Sequence, residues 1–229
     1  MVVGLPAAHA DHFSGANITY NCVGPNQYTI TLDLFLDCSG APITPHALSF
    51  TNTCGVNFTL NNVPLVETTE VSQLCGSQLL NSSCNGGTLP GIRRYRFQTT
   101  VFLSPCNFWT ISWSVCCRAT TQNVVATPGM YVAATLNNLG GLCDQSPQFG
   151  DSTIPYVCVG TPVSYNPQVT DADGNSLDYS FISARYAAPV PTNVTYQTGF
   201  TATTPIPGIT LNSSTGQINF TPTVTGRYI

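Results

Sequence analysis

The sequence predicts an all-β fold, two β-sandwich domains in tandem held by disulfides, and three observations predict it. Apolar residues alternate with polar ones at a period of two in several stretches. Ten cysteines make an even set. Gly, Pro, Asn and Asp separate the alternating runs, and no amphipathic helical pattern interrupts them. The 229 residues suffice for two sandwiches of about 100 residues each.

The strands follow in order. From Tyr28 to Leu36, the residues Tyr28, Ile30, Leu32, Leu34 and Leu36 share one face, and Thr29, Thr31, Asp33 and Asp37 share the other, which is a half-buried strand. Gly24-Pro25-Asn26 is the preceding turn, and Asn17 to Cys22 the partner strand. Arg94 to Leu103 alternates again, with Tyr95, Phe97, Val101 and Leu103 opposite Arg94, Arg96 and Gln98. Trp109, Ile111, Trp113 and Val115 face inward while Thr110, Ser112 and Ser114 face out, and Tyr131 to Leu136 is a further strand. Between Asn52 and Pro90 the chain is rich in Asn, Ser and Gly and carries Cys54, Cys75 and Cys84. Loops and short strands stapled by disulfides are expected there.

Near Gly140-Gly141 the texture changes. Residues 11–140 read as a disulfide-rich sandwich and residues 141–160 as a Pro- and Ser-rich connector closed by a Cys143–Cys158 bridge. Residues 161–229 read as a second sandwich. In it, Thr161 to Val169 and Leu177 to Ile182 are expected strands around an Asp171 to Ser176 turn. Ile209 to Leu211 and Gln217 to Phe220 form a hairpin around Asn212 to Gly216, with Gly216 supplying a positive φ. Gly226 to Ile229 reads as the opening of a strand, so this sandwich is expected to be incomplete at residue 229.

The cysteines are Cys22, Cys38, Cys54, Cys75, Cys84, Cys106, Cys116, Cys117, Cys143 and Cys158. No CxxC pair exists, and His9, His12 and His46 lie far from most of them, so disulfides rather than zinc are expected, and with them an oxidising compartment. Adjacent strand residues point to opposite faces, so Cys117 is expected to bridge into the core and Cys116 outward to the loop region. Residues 1–10 end in Ala8-His9-Ala10, a small-x-small cleavage site before Asp11, and read as a signal-peptide remnant. No apolar run reaches the roughly 18 residues of a membrane span.

Charge is sparse, at 7%, and the net charge is -4. The basic residues are six arginines and no lysine, clustered only at Arg93, Arg94 and Arg96, which does not suit a nucleic-acid backbone. That cluster is read as a strand face balanced by acids, with an acidic glycan or a surface protein as the functional alternative. Trp109 and Trp113 alternate with Ile111 and Val115, which favours core packing over a sugar platform. The histidines sit in the leader, just after it and in a loop, and no Gly-x-Ser-x-Gly is present, so a hydrolytic triad is not expected. Glu67 and Glu70 are the only glutamates.

Asp171-Ala-Asp173-Gly-Asn175 places hard oxygens at alternate positions, as calcium requires, and Asp178 is the next carboxylate. An EF-hand is excluded by Ser176 and Ile182 at its glycine and glutamate positions. The competing expectation is a turn whose Asp side chains cap their own backbone. Asn-x-Ser/Thr triplets begin at Asn17, Asn57, Asn81, Asn193 and Asn212 among others, as chance allows in so polar a chain.

Five stretches carry a resemblance. They are Gly15 to Cys22, Tyr28 to Gly40, Trp109 to Arg118 with its Cys-Cys-Arg, Pro155 to Gly160 leading to Asp171 to Leu177, and Ile209 to Pro222 with Gly226 to Tyr228. The first four resemble the N-terminal region of large, gliding-motility-associated cell-surface proteins exported by the type IX secretion system of Bacteroidetes. The last stretch resembles the closing hairpin of Ig-like/cadherin-like repeats. The resemblance implies Ig-like/cadherin-like sandwiches, secretion, attachment at the cell surface, and an adhesin-like role beside other domains of the same polypeptide. It implies no catalytic residues and no N-glycosylation. Ser152, in Asp151-Ser-Thr153, matches the short O-glycosylation signal of the same bacteria. A structural or adhesive module that contacts surface glycans or proteins is therefore expected, with a glycan-binding accessory domain of a secreted enzyme as the alternative.

Overall fold

The computed structural model describes residues 13–40, 42–116, 118–126, 129–150, 156–187 and 190–229. The signal-peptide remnant, Cys117 and Ser152 lie outside the described residues. Eight strands build the first part: β1 (Phe13–Gly24), β2 (Gln27–Asp37), β3 (His46–Asn52), β4 (Asn57–Val63), β5 (Leu65–Glu70), β6 (Ile92–Phe102), β7 (Trp109–Val115) and β8 (Met130–Leu136). They form two four-stranded antiparallel sheets, ordered β1-β2-β6-β5 and β4-β3-β7-β8. The all-β, sandwich-like expectation holds.

The long strands form because alternation lets each bury one face. Tyr28, Ile30, Leu32, Leu34 and Leu36 of β2 are buried, with Ile18 and Tyr20 of β1 and Phe97 and Val101 of β6. From the facing sheet come Leu48 and Phe50 of β3 and Trp109, Ile111 and Trp113 of β7. Phe50 stacks on Phe58 at 4.6 Å, and Tyr20 meets Tyr28 edge-on at 6.1 Å. The β1–β2 turn is the expected one, with Gly24 opposite Gln27 and Asn26 at φ 57°, which Asn tolerates.

Four strand expectations need correction. The polar face of β2 is not solvated: Thr31 and Asp33 are buried, because Gln98 and Arg96 of the neighbouring β6 close over them. The Asn52 to Pro90 stretch supplies a full edge strand to each sheet, β4 and β5, before two short 3-10 turns at Gly76–Asn81 and Ser83–Asn85. An edge strand shows water one face and one ladder, so it needs little apolar alternation. His46 is not in a loop. It starts β3, buried, with Trp113 Nε1 donating to its Nδ1 at 3.3 Å and the rings of Phe13, Phe97 and Trp113 around it. Leu177 to Ile182 is not a strand, although Tyr179 N donates to Ser213 O.

Three disulfides join described residues to one another: Cys22–Cys143, Cys38–Cys84 and Cys54–Cys106. The expected Cys143–Cys158 bridge is not formed. Ser146 and Tyr20 exchange hydrogen bonds, which lays residues 142–148 along β1 and brings Cys143 to a Cα–Cα distance of 5.3 Å from Cys22. Cys158 is carried elsewhere, since Tyr156 N donates to Gln73 Oε1, and Cys75 and Cys158 are free, exposed thiols. Cys116 is disulfide-bonded, but not to the loop region, because Cys54 and Cys84 have other partners and Cys75 is free.

After the sandwich the strands shorten: β9 (Gln148–Phe149), β10 (Val163–Tyr165), β11 (Val169–Thr170), β12 (Arg185–Ala187), β13 (Pro191–Asn193), β14 (Thr210–Leu211) and β15 (Ile218–Phe220). The expected Thr161 to Val169 strand is thus broken between β10 and β11. The expected hairpin is present, with Leu211 opposite Ile218 and Thr210 opposite Asn219. Gly216 has φ 71°, and a Cβ there would meet the Tyr179 ring at 2.7 Å, so conformation and space both demand glycine. β15 is paired on both sides, by β10 and β14, rather than left with an open ladder. Gly226 to Ile229 is not a strand: Arg227 O accepts from Gln122 N, and Ile229 N donates to Asn123 Oδ1.

Candidate functional site

The sequence pointed to the Asp171 turn, and the structure shows how the turn is held. Asp171 Oδ1 accepts from Asp173 N at 3.0 Å, Asn175 N at 3.1 Å and Asn175 Nδ2 at 3.3 Å. Gly174 takes φ 76° to close the loop. This is the self-capped turn. It does not stand alone, because Asp173 Oδ2 accepts from Gln145 N at 2.7 Å and so seats the turn on the residues beside the Cys22–Cys143 bridge.

That contact brings in Asp144, which the sequence reading missed. Asp144 Oδ2 accepts from the Tyr20 hydroxyl at 3.4 Å, and the same hydroxyl donates to Thr135 O at 2.9 Å. Asn137, Leu142, Cys143, Asp144, Asp173 and Asn175 line a cleft of about 450 Å³. Burial raises the Asp144 carboxyl above its ordinary value, the Asp173 and Asp171 charges raise it further, and the Tyr20 hydrogen bond opposes them. Tyr20 in turn is pushed up, first by burial and then by Asp144. Asp171, Asp173 and Asn175 are therefore brought together, but Asp171 Oδ1 and Asp173 Oδ2 already accept from N–H donors. Among the described residues no group of three or more His, Cys, Asp or Glu side chains could hold a metal ion.

Two of the three clustered arginines, Arg94 and Arg96, pair with acids on their own sheet. Arg96 grips Asp33 in a two-point pair, Nε to Oδ1 at 2.8 Å and Nη2 to Oδ2 at 2.9 Å. Arg94 pairs with Glu67 at 2.6 Å, and Arg93 donates to Cys84 O. Glu70 accepts from Ser72 and Asn85, so both glutamates fasten the β5–β6 edge. Trp109 and Trp113 are buried in the core, and the Trp109 ring N–H donates to Ser104 O.

Asn123 was also missed. It is fully buried, donates from Nδ2 to Pro205 O and Ile229 O, and accepts from Gln197 N at its carbonyl. A lone Asn in a polar loop carries no sequence signal of such a role. Beside it, Arg227 pairs with Asp37 at the end of β2. Among the described residues no helix is long and apolar enough to cross a membrane. A scan against family models, a search of curated proteins and a search of solved structures each found no match for this chain.

Proposed function

We propose that the chain is an extracellular structural or adhesive β-sandwich module of a large secreted cell-surface protein, and that it works by holding and presenting surface rather than by catalysis. The observation that carries this reading is the fastening of one apolar core by three disulfides between described residues, at both ends of the sandwich. Such bridges belong to an oxidising compartment and restrain the unfolded chain, which suits a module that must keep its shape outside the cell. The resemblance to gliding-motility-associated proteins supports attachment at the cell surface and export by the type IX route. The partners are other domains of the same polypeptide and surface glycans or proteins.

Beads coated with the oxidised protein test this reading. They are expected to adhere to cell-envelope or abiotic surfaces, and to lose adhesion after reduction and alkylation. Coated beads that adhere no better than albumin-coated beads would overturn it. The alternative, a glycan-binding accessory domain, needs exposed aromatics in a groove, and both tryptophans are buried. Saturable binding to one saccharide on a glycan array would favour that alternative.

A further inference from the structure

Arg118 is 6% exposed and has no acid partner among the described residues. It sits beside the start of β1, where it bridges Phe13, and its Nη2 donates to Arg185 O at 3.2 Å. Its Nε is buried and makes no hydrogen bond. The ion pairs among the described residues use Arg94, Arg96 and Arg227 only. Burial works against the charge of Arg118, and among the described residues the titratable group that acts on it is the hydroxyl of Tyr196. A guanidinium cannot give up its proton at neutral pH, so burial leaves a charge that calls for a counter-ion.

Arg118 also lines a cavity of about 300 Å³. The walls are mostly apolar, from Phe13, Ile92, Val159, Ile206, Phe220 and Val224. The other arginine on the wall, Arg227, is already paired with Asp37. The volume is at the lower end of small-molecule sites, which combine apolar walls with a few fixed polar groups.

We propose that this cavity binds a small monocarboxylate with an apolar body, such as a medium-chain or aromatic acid, with the carboxylate on Arg118. The charged guanidinium on an apolar wall favours an anionic group over a neutral one, and a carboxylate is an anion that planar N–H donors fit. The apolar walls take the rest of the ligand and exclude water, which strengthens the ion pair. The proposal uses nothing from the adhesive reading, so it stands or falls independently of it.

Calorimetric titration of the oxidised protein with octanoate, octanol and 3-phenylpropionate is the test, alongside the Arg118 Nε–Hε resonance in a two-dimensional NMR spectrum. The two acids are expected to bind and to shift that resonance, and octanol to bind at least about tenfold more weakly. Arg118→Met, which keeps the length of the apolar stem, is expected to weaken acid binding by roughly tenfold to a hundredfold. Val159→Trp fills the cavity from its rim and leaves Arg118 in place. It is expected to abolish binding too, which keeps the test decisive if the Met variant does not fold. No acid binding by the unaltered protein, equal binding of octanol, or acid binding undiminished in a folded variant would each overturn the proposal.

Discussion

The β1–β8 sandwich and the region beyond residue 156 are held together by different means. In the sandwich, β2 and β6 pair over eleven residues each, and the buried cluster runs from Phe13 to Leu136. Among the described residues beyond 156 no strand exceeds three residues, and Val194 and Pro222 are the buried apolar side chains. Order there comes from turns capped by Asp171 and Asn212, and from polar anchors such as Asn123 and Arg227 that fasten it to the sandwich. Burial gives a cooperative unit, whereas capped turns open locally and one at a time.

Substitution in the core should mark this contrast most strongly. Leu34→Ala is expected to cost about 4 kcal/mol in denaturant unfolding, because Leu34 is fully buried between the sheets. Val194→Ala should cost roughly 1.5 kcal/mol, felt only in the exchange of amides around β12 and β13. Similar costs for the two, spread over the whole chain, would show that the two regions unfold as one.

The next effect is covalent. Replacing Cys22 and Cys143 together by Ser opens a bridge that spans 121 residues and is expected to cost about 3 kcal/mol. Peptide mapping without reductant should find Cys22 linked to Cys143. Hydrogen exchange should show β2 and β6 opening only with the whole sandwich, while β10, β14 and β15 exchange earlier. Equal protection of the two sets would remove the contrast.

Smaller effects lie at the seam. Arg227→Ala is expected to cost at most about 1 kcal/mol, since the pair is partly exposed. Burial works against the charge of Asp37, but hydrogen bonds from Ser39 and Arg227 outweigh it and hold the carboxyl below its ordinary value. The contribution is therefore present above the unfolded value of 3.8 and lost as pH falls through the folded one, so wild type and variant should converge in acid. Asp144 has the opposite sign. Burial and the Asp173 charge raise its carboxyl, so the folded state is penalised as pH rises above the unfolded value of 3.8. Asp144→Asn should then raise the melting temperature slightly near neutral pH and leave it unchanged near pH 3. Millimolar calcium is expected to leave the melting temperature as it is in chelator. A rise that Asp171→Asn removes would instead put the ion on the Asp171 turn.

The legible parts of the fold were those where one strand face must be apolar. β1, β2, β6, β7 and β8 showed in the alternation of Tyr28 to Leu36 and of Trp109 to Val115. β4 and β5 did not, because Asn57–Val63 and Leu65–Glu70 are edge strands with mostly exposed side chains. His46 read as a loop histidine, yet it starts β3 and packs against Trp113. At the candidate site, the Asp171 to Asn175 turn was visible as local chemistry. Asp144 was not, since a contact across 28 residues, Gln145 to Asp173, creates its environment.

By itself the sequence determined the β class, the inward face of each long strand, the Asn212 to Gly216 hairpin and the use of cysteines as bridges, because each depends on neighbours a few residues apart. Which cysteines meet was decided only by tertiary structure. The pairing of Tyr20 with Ser146 moves Cys143 beside Cys22, and no spacing rule contains that contact. The burial of Arg118 without an acid was decided in the same way. It arises where the start of β1 and residues 156–229 close over one side chain, and long-range packing alone sets the solvation of a charge.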